Sequence, residues 1–237
     1  MSISAVKKYL LILVAAGTAF LYGCDSLLDD GRVDEGVIEY QVTYPKLDPS
    51  SILAELLPTK MVMKFKDDHY ITDLSAGFGM FRMNVINNAE DMEFAQMVKL
   101  INDRFVVKYN KENAGQFLKG FPDIEIVETG KKKTIANYEC DEAIVTVFAD
   151  TLETYTIYYT KDIRFDNSNW FTQYAGIDGV LLEYQVERYN LCSRFTANHV
   201  LAQEIDNDEF NVPEEYEVID EEEMNQKMEE IFNNFSE

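Results

Sequence analysis

A chain of 237 residues with 43 acidic against 21 basic side chains carries a formal charge of −22. That balance repels phosphate backbones and anionic lipid surfaces, and Lys131-Lys132-Lys133 is too small a cluster to displace counterions, so nucleic-acid binding is not expected. The hydrophobic fraction of 46% supports one core of single-domain size, and 15 Phe with 14 Tyr suit half-buried strands better than a helical bundle.

The chain opens on Lys7-Lys8, an apolar run from Tyr9 to Tyr22, and Leu21-Tyr22-Gly23-Cys24. Basic start, apolar stretch and small residue follow one another as in a secretory signal peptide. The run stops short of the roughly 20 apolar residues a spanning helix needs. Leu21, Gly23 and Cys24 resemble the bacterial lipobox, with Tyr22 bulkier than usual at its position. The resemblance implies cleavage before Cys24, a diacylglycerol on its thiol and acylation of the new amine. Two or more acyl chains hold a protein stably where one does not, so the expected partner is a membrane, reached through lipid on Cys24. Residues 1–23 are the expected signal peptide and 24–35, acidic and without period, the expected tether. Losing the leader removes Lys7 and Lys8 and leaves the remainder more acidic still.

From Gly36 the pattern alternates, with Ile38, Tyr40, Val42 and Tyr44 on one face of a strand that Pro45 ends. Ser50 to Leu57 places Ile52, Leu53, Leu56 and Leu57 at helical spacing, behind a serine cap and ahead of Pro58. Met61, Met63 and Phe65 alternate into a turn at Asp67-Asp68, followed by Tyr70, Thr72 and Leu74. Phe78 to Ile86, Met92 to Leu100 and Phe105 to Tyr109 read as three more strands, although Met92, Ala95, Gln96 and Lys99 also obey a helical spacing. Ile124, Ile126 and Glu128 lead into Thr129-Gly130-Lys131-Lys132, a hairpin signal.

Tyr138 to Phe148, Leu152 to Thr160, Gly179 to Arg188 and Cys192 to Ile205 complete an antiparallel meander. Over residues 220–237, Met224, Met228, Ile231, Phe232 and Phe235 form one stripe of an amphipathic helix, whose acidic start suits the helix dipole. The expected fold is mainly β with some helix: an antiparallel β domain over 36–219 and a terminal helix. After acylation of Cys24, Cys140 and Cys192 remain, an even pair that invites a disulfide in an oxidising envelope. A meander points their strand ends to opposite edges, which sets against a bridge unless the sheet curls shut.

Four stretches of the second half resemble the ordered motifs of a known family. Thr134-Ile135-Ala136-Asn137-Tyr138-Glu139-Cys140-Asp141-Glu142-Ala143 resembles an Ile-Ala-Gly-Tyr-x-Cys-x-x-Ala element, with Asn137 in place of glycine. Tyr158-Tyr159-Thr160-Lys161-Asp162-Ile163 resembles Trp-Tyr-Thr-x-Asp/Glu-Ile, with Tyr158 for tryptophan. Gly179-Val180-Leu181-Leu182-Glu183 is similar to the Gly-x-Pro/Leu-Leu strand start without its proline, and Phe210-Asn211-Val212-Pro213-Glu214-Glu215-Tyr216 to a closing Phe-x-x-Pro-x-x-Tyr. Together these resemble the GLPGLI proteins of Bacteroidota envelopes and a related domain family, themselves similar to LolA-type lipoprotein carriers, over about residues 134–216. The resemblance implies a LolA-like fold, a strongly curved antiparallel sheet or half-open barrel whose concave face is plugged by short helices, and brings no catalytic residues. With Asp25, Asp29 and Asp30 behind Cys24, it also implies the outer membrane, on the periplasmic side or at the cell surface.

Catalytic chemistry is not expected, nor a metal or cofactor. His69 and His199 are the two histidines, and no HxH, HExxH or CxxC spacing occurs. A Cys140–His199 nucleophile pair would lack an oxyanion site. Gly77-Phe78-Gly79 lacks the context of a phosphate loop, and Asp206-Asn207-Asp208-Glu209 lacks the glycine and distal glutamate of a calcium loop. What stands out is the placement of Leu53, Leu56, Leu57, Met61, Met63, Phe78, Met80 and Met83 on a short helix, a strand and a glycine-flanked bend. Methionine-rich surfaces adapt to varied apolar partners, and the same residues equally suit a plain core. Two functions follow. One is a binding module for a lipid, acyl chain or apolar peptide; the other is a structural or protein-interaction lipoprotein with an envelope protein partner.

Overall fold

Apolar–polar alternation lets a strand bury one face, and it builds all but the last, two-residue member of a twelve-stranded sheet. The strands are β1 (Glu35–Thr43), β2 (Lys60–Lys66), β3 (His69–Ala76), β4 (Phe81–Asn88), β5 (Glu93–Leu100), β6 (Asp103–Asn110), β7 (Asp123–Ile135), β8 (Tyr138–Phe148), β9 (Leu152–Thr160), β10 (Val180–Arg188), β11 (Leu191–Ala202) and β12 (Glu217–Val218). Among the described residues three α-helices accompany them: α1 (Ile52–Leu56), α2 (Ala114–Leu118) and α3 (Glu221–Asn234). This computed structural model describes residues 32–148 and 152–234, without the side chains of residues 52, 78 and 232–234. Contacts divide the chain into Met1–Arg32 and Val33–Glu237, and everything below belongs to the second unit. The expected signal peptide, Cys24 and the acidic run after it lie outside the described residues.

The sheet order is β12-β6-β5-β4-β3-β2-β1-β11-β10-β9-β8-β7. β1 therefore stitches two meanders together, pairing antiparallel with β2 and with β11. The sheet is rolled. Tyr189, in the turn after β10, hydrogen-bonds Gln96 of β5, whereas a flat sheet would hold β5 and β10 six strand spacings apart, roughly 29 Å. One buried cluster accordingly joins Val98 and Val107 to Cys140, Leu182 and Phe195 across the inner face. The two edges, β7 and β12, are not paired with each other, so the roll stays open.

The chain after β11 straps the outer face. Lys66 Nζ donates to the Ile205 carbonyl at 3.0 Å, and Phe210, Val212 and Tyr216 pack over Ile86, Ala95, Met97 and Val106. β12 then pairs parallel with β6, where the other strand pairs described are antiparallel. The Asp220 carboxylate accepts from the Glu223 amide at 2.8 Å to start α3, which turns Met224, Met228 and Ile231 into the inner core.

Several expectations need correcting. The hairpin signal at Thr129–Lys132 makes a register shift within β7, between Glu128 and Lys132, with Gly130 at φ +71°. The turn lies at Ala136-Asn137, both left-handed at φ +48° and +71°, a pair that matches strand twist in a two-residue hairpin. The strand expected from Phe78 starts at Phe81, because Gly77–Gly79 forms a 3₁₀ turn. The domain begins at Val33, inside the expected tether: its amide donates to the Asp162 carbonyl and its carbonyl accepts from Arg164. The run from Met92 is a strand, as the strand reading has it, with Met92 in the turn before it at φ +55°. Cys140 and Cys192 are both free and buried, in line with the argument against a bridge. Local patterning missed α2, β12 and the turn-rich segment 161–179.

Candidate functional site

Inner-face side chains of β1 to β5, β10 and β11 surround a cavity of about 230 Å³. Alternation sets its walls: Tyr40, Met61, Met63, Leu74, Met83, Val85, Tyr184 and Val186 all hold inward register. Tyr40 Oη donates to the Leu181 carbonyl at 2.9 Å, tying β1 to β10 across the space. Tyr184 stands edge-on to Tyr40 and Tyr174 and stacks on Phe195.

One end is closed by aromatic rings. Segment 161–179 sends Phe165 and Phe171 inward, Phe94 stacks between Phe171 at 4.1 Å and Tyr109 at 4.3 Å, and Phe165 meets Tyr70 edge-on. Trp170 Nε1 donates to Asn87 Oδ1 at 2.8 Å and holds the segment in place. Tyr44, Leu57 and Pro58 belong to the opposite end of the strands, where Tyr44 Oη donates to the Pro58 carbonyl at 2.7 Å. α1 before them is capped by Ser51 Oγ, which accepts from the Ala54 amide.

Of the residues the sequence nominated, Leu57, Met61, Met63 and Met83 line the cavity. Leu53 is half-buried and outside the wall, and the Phe78 side chain lies outside the described residues. Leu56 and Met80 are corrections: they are 42% and 57% exposed. α1 is little more than one turn, so helical spacing does not carry Leu53 and Leu56 inward; Leu57 turns in because it is the extended C-cap. Met80 closes the 3₁₀ turn between β3 and β4 and faces water at the same strand ends as Leu56 and Ile101. Missed altogether were Gln96, Phe117, Phe171, Tyr174 and Arg188. A signal for the last existed: Arg188 continues the inward register of Val180, Leu182, Tyr184 and Val186, a cation on an apolar face.

Among the described residues, the two thiols and His199 stand apart from one another and from the cavity wall. Burial pushes the thiols of Cys140 and Cys192 up to about 11, so both are protonated at neutral pH. His199 is exposed on β11 while Cys140 is buried on β8, so the Cys–His pair does not form. Asp206 caps a 3₁₀ turn through the Asp208 amide, and no cluster of three or more metal-ligating side chains exists among the described residues. No helix among them is long and apolar enough to cross a membrane.

No protein-family model matches the chain, and no curated protein matches its sequence. Among solved structures it is similar to PNGF-II at 16% identity and a TM-score of 0.50, with 82% of this chain and 32% of that one covered. It overlaps more loosely with MucB at 10% identity and a TM-score of 0.32, covering 81% and 62%. The overlap with the Pseudomonas aeruginosa MucA/MucB complex is similar, at 9% identity and 0.31, covering 81% and 60%. The chain thus spans about a third of PNGF-II and about three fifths of MucB. The likeness to PNGF-II is one of fold, and the looser overlaps carry no argument about this chain.

Proposed function

We propose that this chain is a lipid-anchored envelope protein whose rolled sheet holds a single apolar chain in its inner cavity. The observation that carries the reading is the cavity itself, walled by Leu57, Met61, Met63 and Met83 and closed at one end by stacked rings. Methionine walls adapt to an aliphatic guest. At about 230 Å³ the space exceeds the roughly 150 Å³ that holds one benzene-sized guest. It falls short of the roughly 300 Å³ where drug-sized sites begin, so it suits a segment of one acyl chain better than a whole lipid. Lipidation at Cys24 and an outer-membrane address rest on the lipobox and on the GLPGLI and LolA-like resemblance. Nothing in the site calls for catalysis, and the reading is a binding module.

Trp170 is the sole tryptophan and lies beside the aromatic end of the cavity, so energy transfer from it to a fluorescent fatty acid reports occupancy. The expected result is saturable binding of one probe per protein. A second reading, a protein-interaction lipoprotein, is favoured by the exposed apolar side chains of Leu56, Met80 and Ile101 at one end of the sheet. Absence of saturable binding by any acyl probe would leave that reading standing. For the anchor, labelling with a palmitate analogue should mark the wild type in its host and miss Cys24→Ala; equal labelling of both would remove the lipobox.

A further inference from the structure

Among the described residues, Arg188 is the one charged side chain in the cavity wall. Only 11% of it is exposed. Its guanidinium lies over the Phe117 ring at 4.1 Å and near the Tyr189 ring at 4.9 Å. A Cβ at Gly120 would come within 3.2 Å of its Nε, so glycine there leaves the group its room. Its Nη2 donates to Asn225 Oδ1 at 3.3 Å, and the Glu221 carboxylate stands 4.0 Å from the same nitrogen, beyond hydrogen-bond reach. Nε is buried with no hydrogen-bond partner among the described residues.

Gln96 belongs to the same end of the cavity, joined to Tyr189, whose hydroxyl donates to Asn225 at 2.9 Å. The Gln96 Oε1, an acceptor, is buried without a partner among the described residues, while its amide nitrogen faces the Tyr189 hydroxyl and lies 3.7 Å from the Met83 sulfur. An apolar cavity with an unpaired cationic N–H at one end has the chemistry of a site for an amphiphile with an anionic head. A buried donor left unmade is costly, and a charge-assisted bond to a carboxylate removes that cost.

We propose that the cavity binds a single-chain carboxylic acid, its carboxylate accepting from Arg188 Nε beside Gln96 and its alkyl chain lying along Met83, Met63 and Met61. The assignment rests on the apolar-chain reading above and gives it a head group. A carboxylate fits better than a phosphate because a single N–H of one cation lacks a partner, Asn225 and Glu221 already face the neighbouring Nη2, and the whole chain is strongly acidic.

The test is displacement of a fluorescent fatty acid by dodecanoic acid, methyl dodecanoate and dodecyl phosphate, each below its micelle concentration. The acid should compete roughly ten- to hundredfold more tightly than its ester, the worth of one charge-assisted hydrogen bond, and more tightly than the phosphate. In Arg188→Met the acid-to-ester ratio should fall to near one. Equal competition by acid and ester in the wild type would overturn the head-group assignment and leave the apolar-chain reading intact. Tighter competition by the phosphate would also overturn it, in favour of a phosphorylated head. Failure of the probe to bind at all would remove the underlying reading. The acid–ester comparison needs the wild type alone, so it decides even where Arg188→Met does not fold.

Discussion

Glu183 lies on β10 with its side chain mostly buried, accepting from Arg194 and, at 2.7 Å, from Lys133. Burial pushes its carboxyl up, and the hydrogen bonds and charges of Lys133 and Arg194 outweigh it, leaving it below the ordinary value. The group therefore adds stability above its unfolded pKa and loses it as pH falls through the lower folded one. Glu183→Gln should cost about 1–3 kcal/mol at neutral pH, discounted for the part-exposed cations, and the cost should shrink in acid. Urea midpoints from pH 7 to pH 3 check this; a pH-independent difference would contradict it. The thiols act at the other limit. With folded values near 11 against an ordinary 9.0, Cys140 and Cys192 contribute stability below pH 9 that is lost as pH rises towards 11. A disulfide reagent should react with both only on unfolding, and rapid reaction of the native protein at neutral pH would contradict their burial. At this scale the sequence was legible where a residue follows the strand period, as Met61, Met63 and Met83 do. It was misleading where a turn intervenes, as at Leu56 and Met80.

α3 contributes Met224 and Met228, both essentially fully buried, and Ile231 to the inner core. Met224→Ala should cost about 2–5 kcal/mol by the usual transfer and cavity terms. Met228→Ala should cost a similar amount and also widen the cavity it lines, so a branched acyl probe should gain affinity there and not in Met224→Ala. The β7–β8 hairpin turns on Ala136 at φ +48°, a conformation that costs an alanine more than a glycine. Ala136→Gly should raise stability by about 0.5–1 kcal/mol after the added unfolded-state entropy, readable from the urea midpoint. The amphipathic stripe of α3 and the alternation of β8 to β10 were plain in the sequence. The turn at Ala136-Asn137 was not, because Thr129-Gly130 carries a stronger local turn signal and spends it on a bulge.

Across the whole molecule, alternation announces an antiparallel sheet but says nothing of strand order. β1 sits between β2 and β11 because its two edges find partners more than 100 residues apart along the chain, a pairing no local period encodes. The roll depends on contacts of the same kind, such as Tyr189 with Gln96, and the closing of the cavity depends on segment 161–179, whose Phe165 and Phe171 have no secondary-structure signature. The outer strap and edge strand β7, blunted by Lys131, Lys132 and Lys133 and by its register shift, leave the inner face as the place for an apolar guest. Methionine methyl NMR reads that face directly, since Met61, Met63, Met83 and Met228 line the cavity, Met97 packs on the outer face and Met80 faces water. Titration with a medium-chain fatty acid should shift the four cavity methyls together with one saturating curve and leave Met80 and Met97 in place; shifts confined to Met80 or Met97, or no saturable shift at any of them, would contradict a ligand inside the rolled sheet.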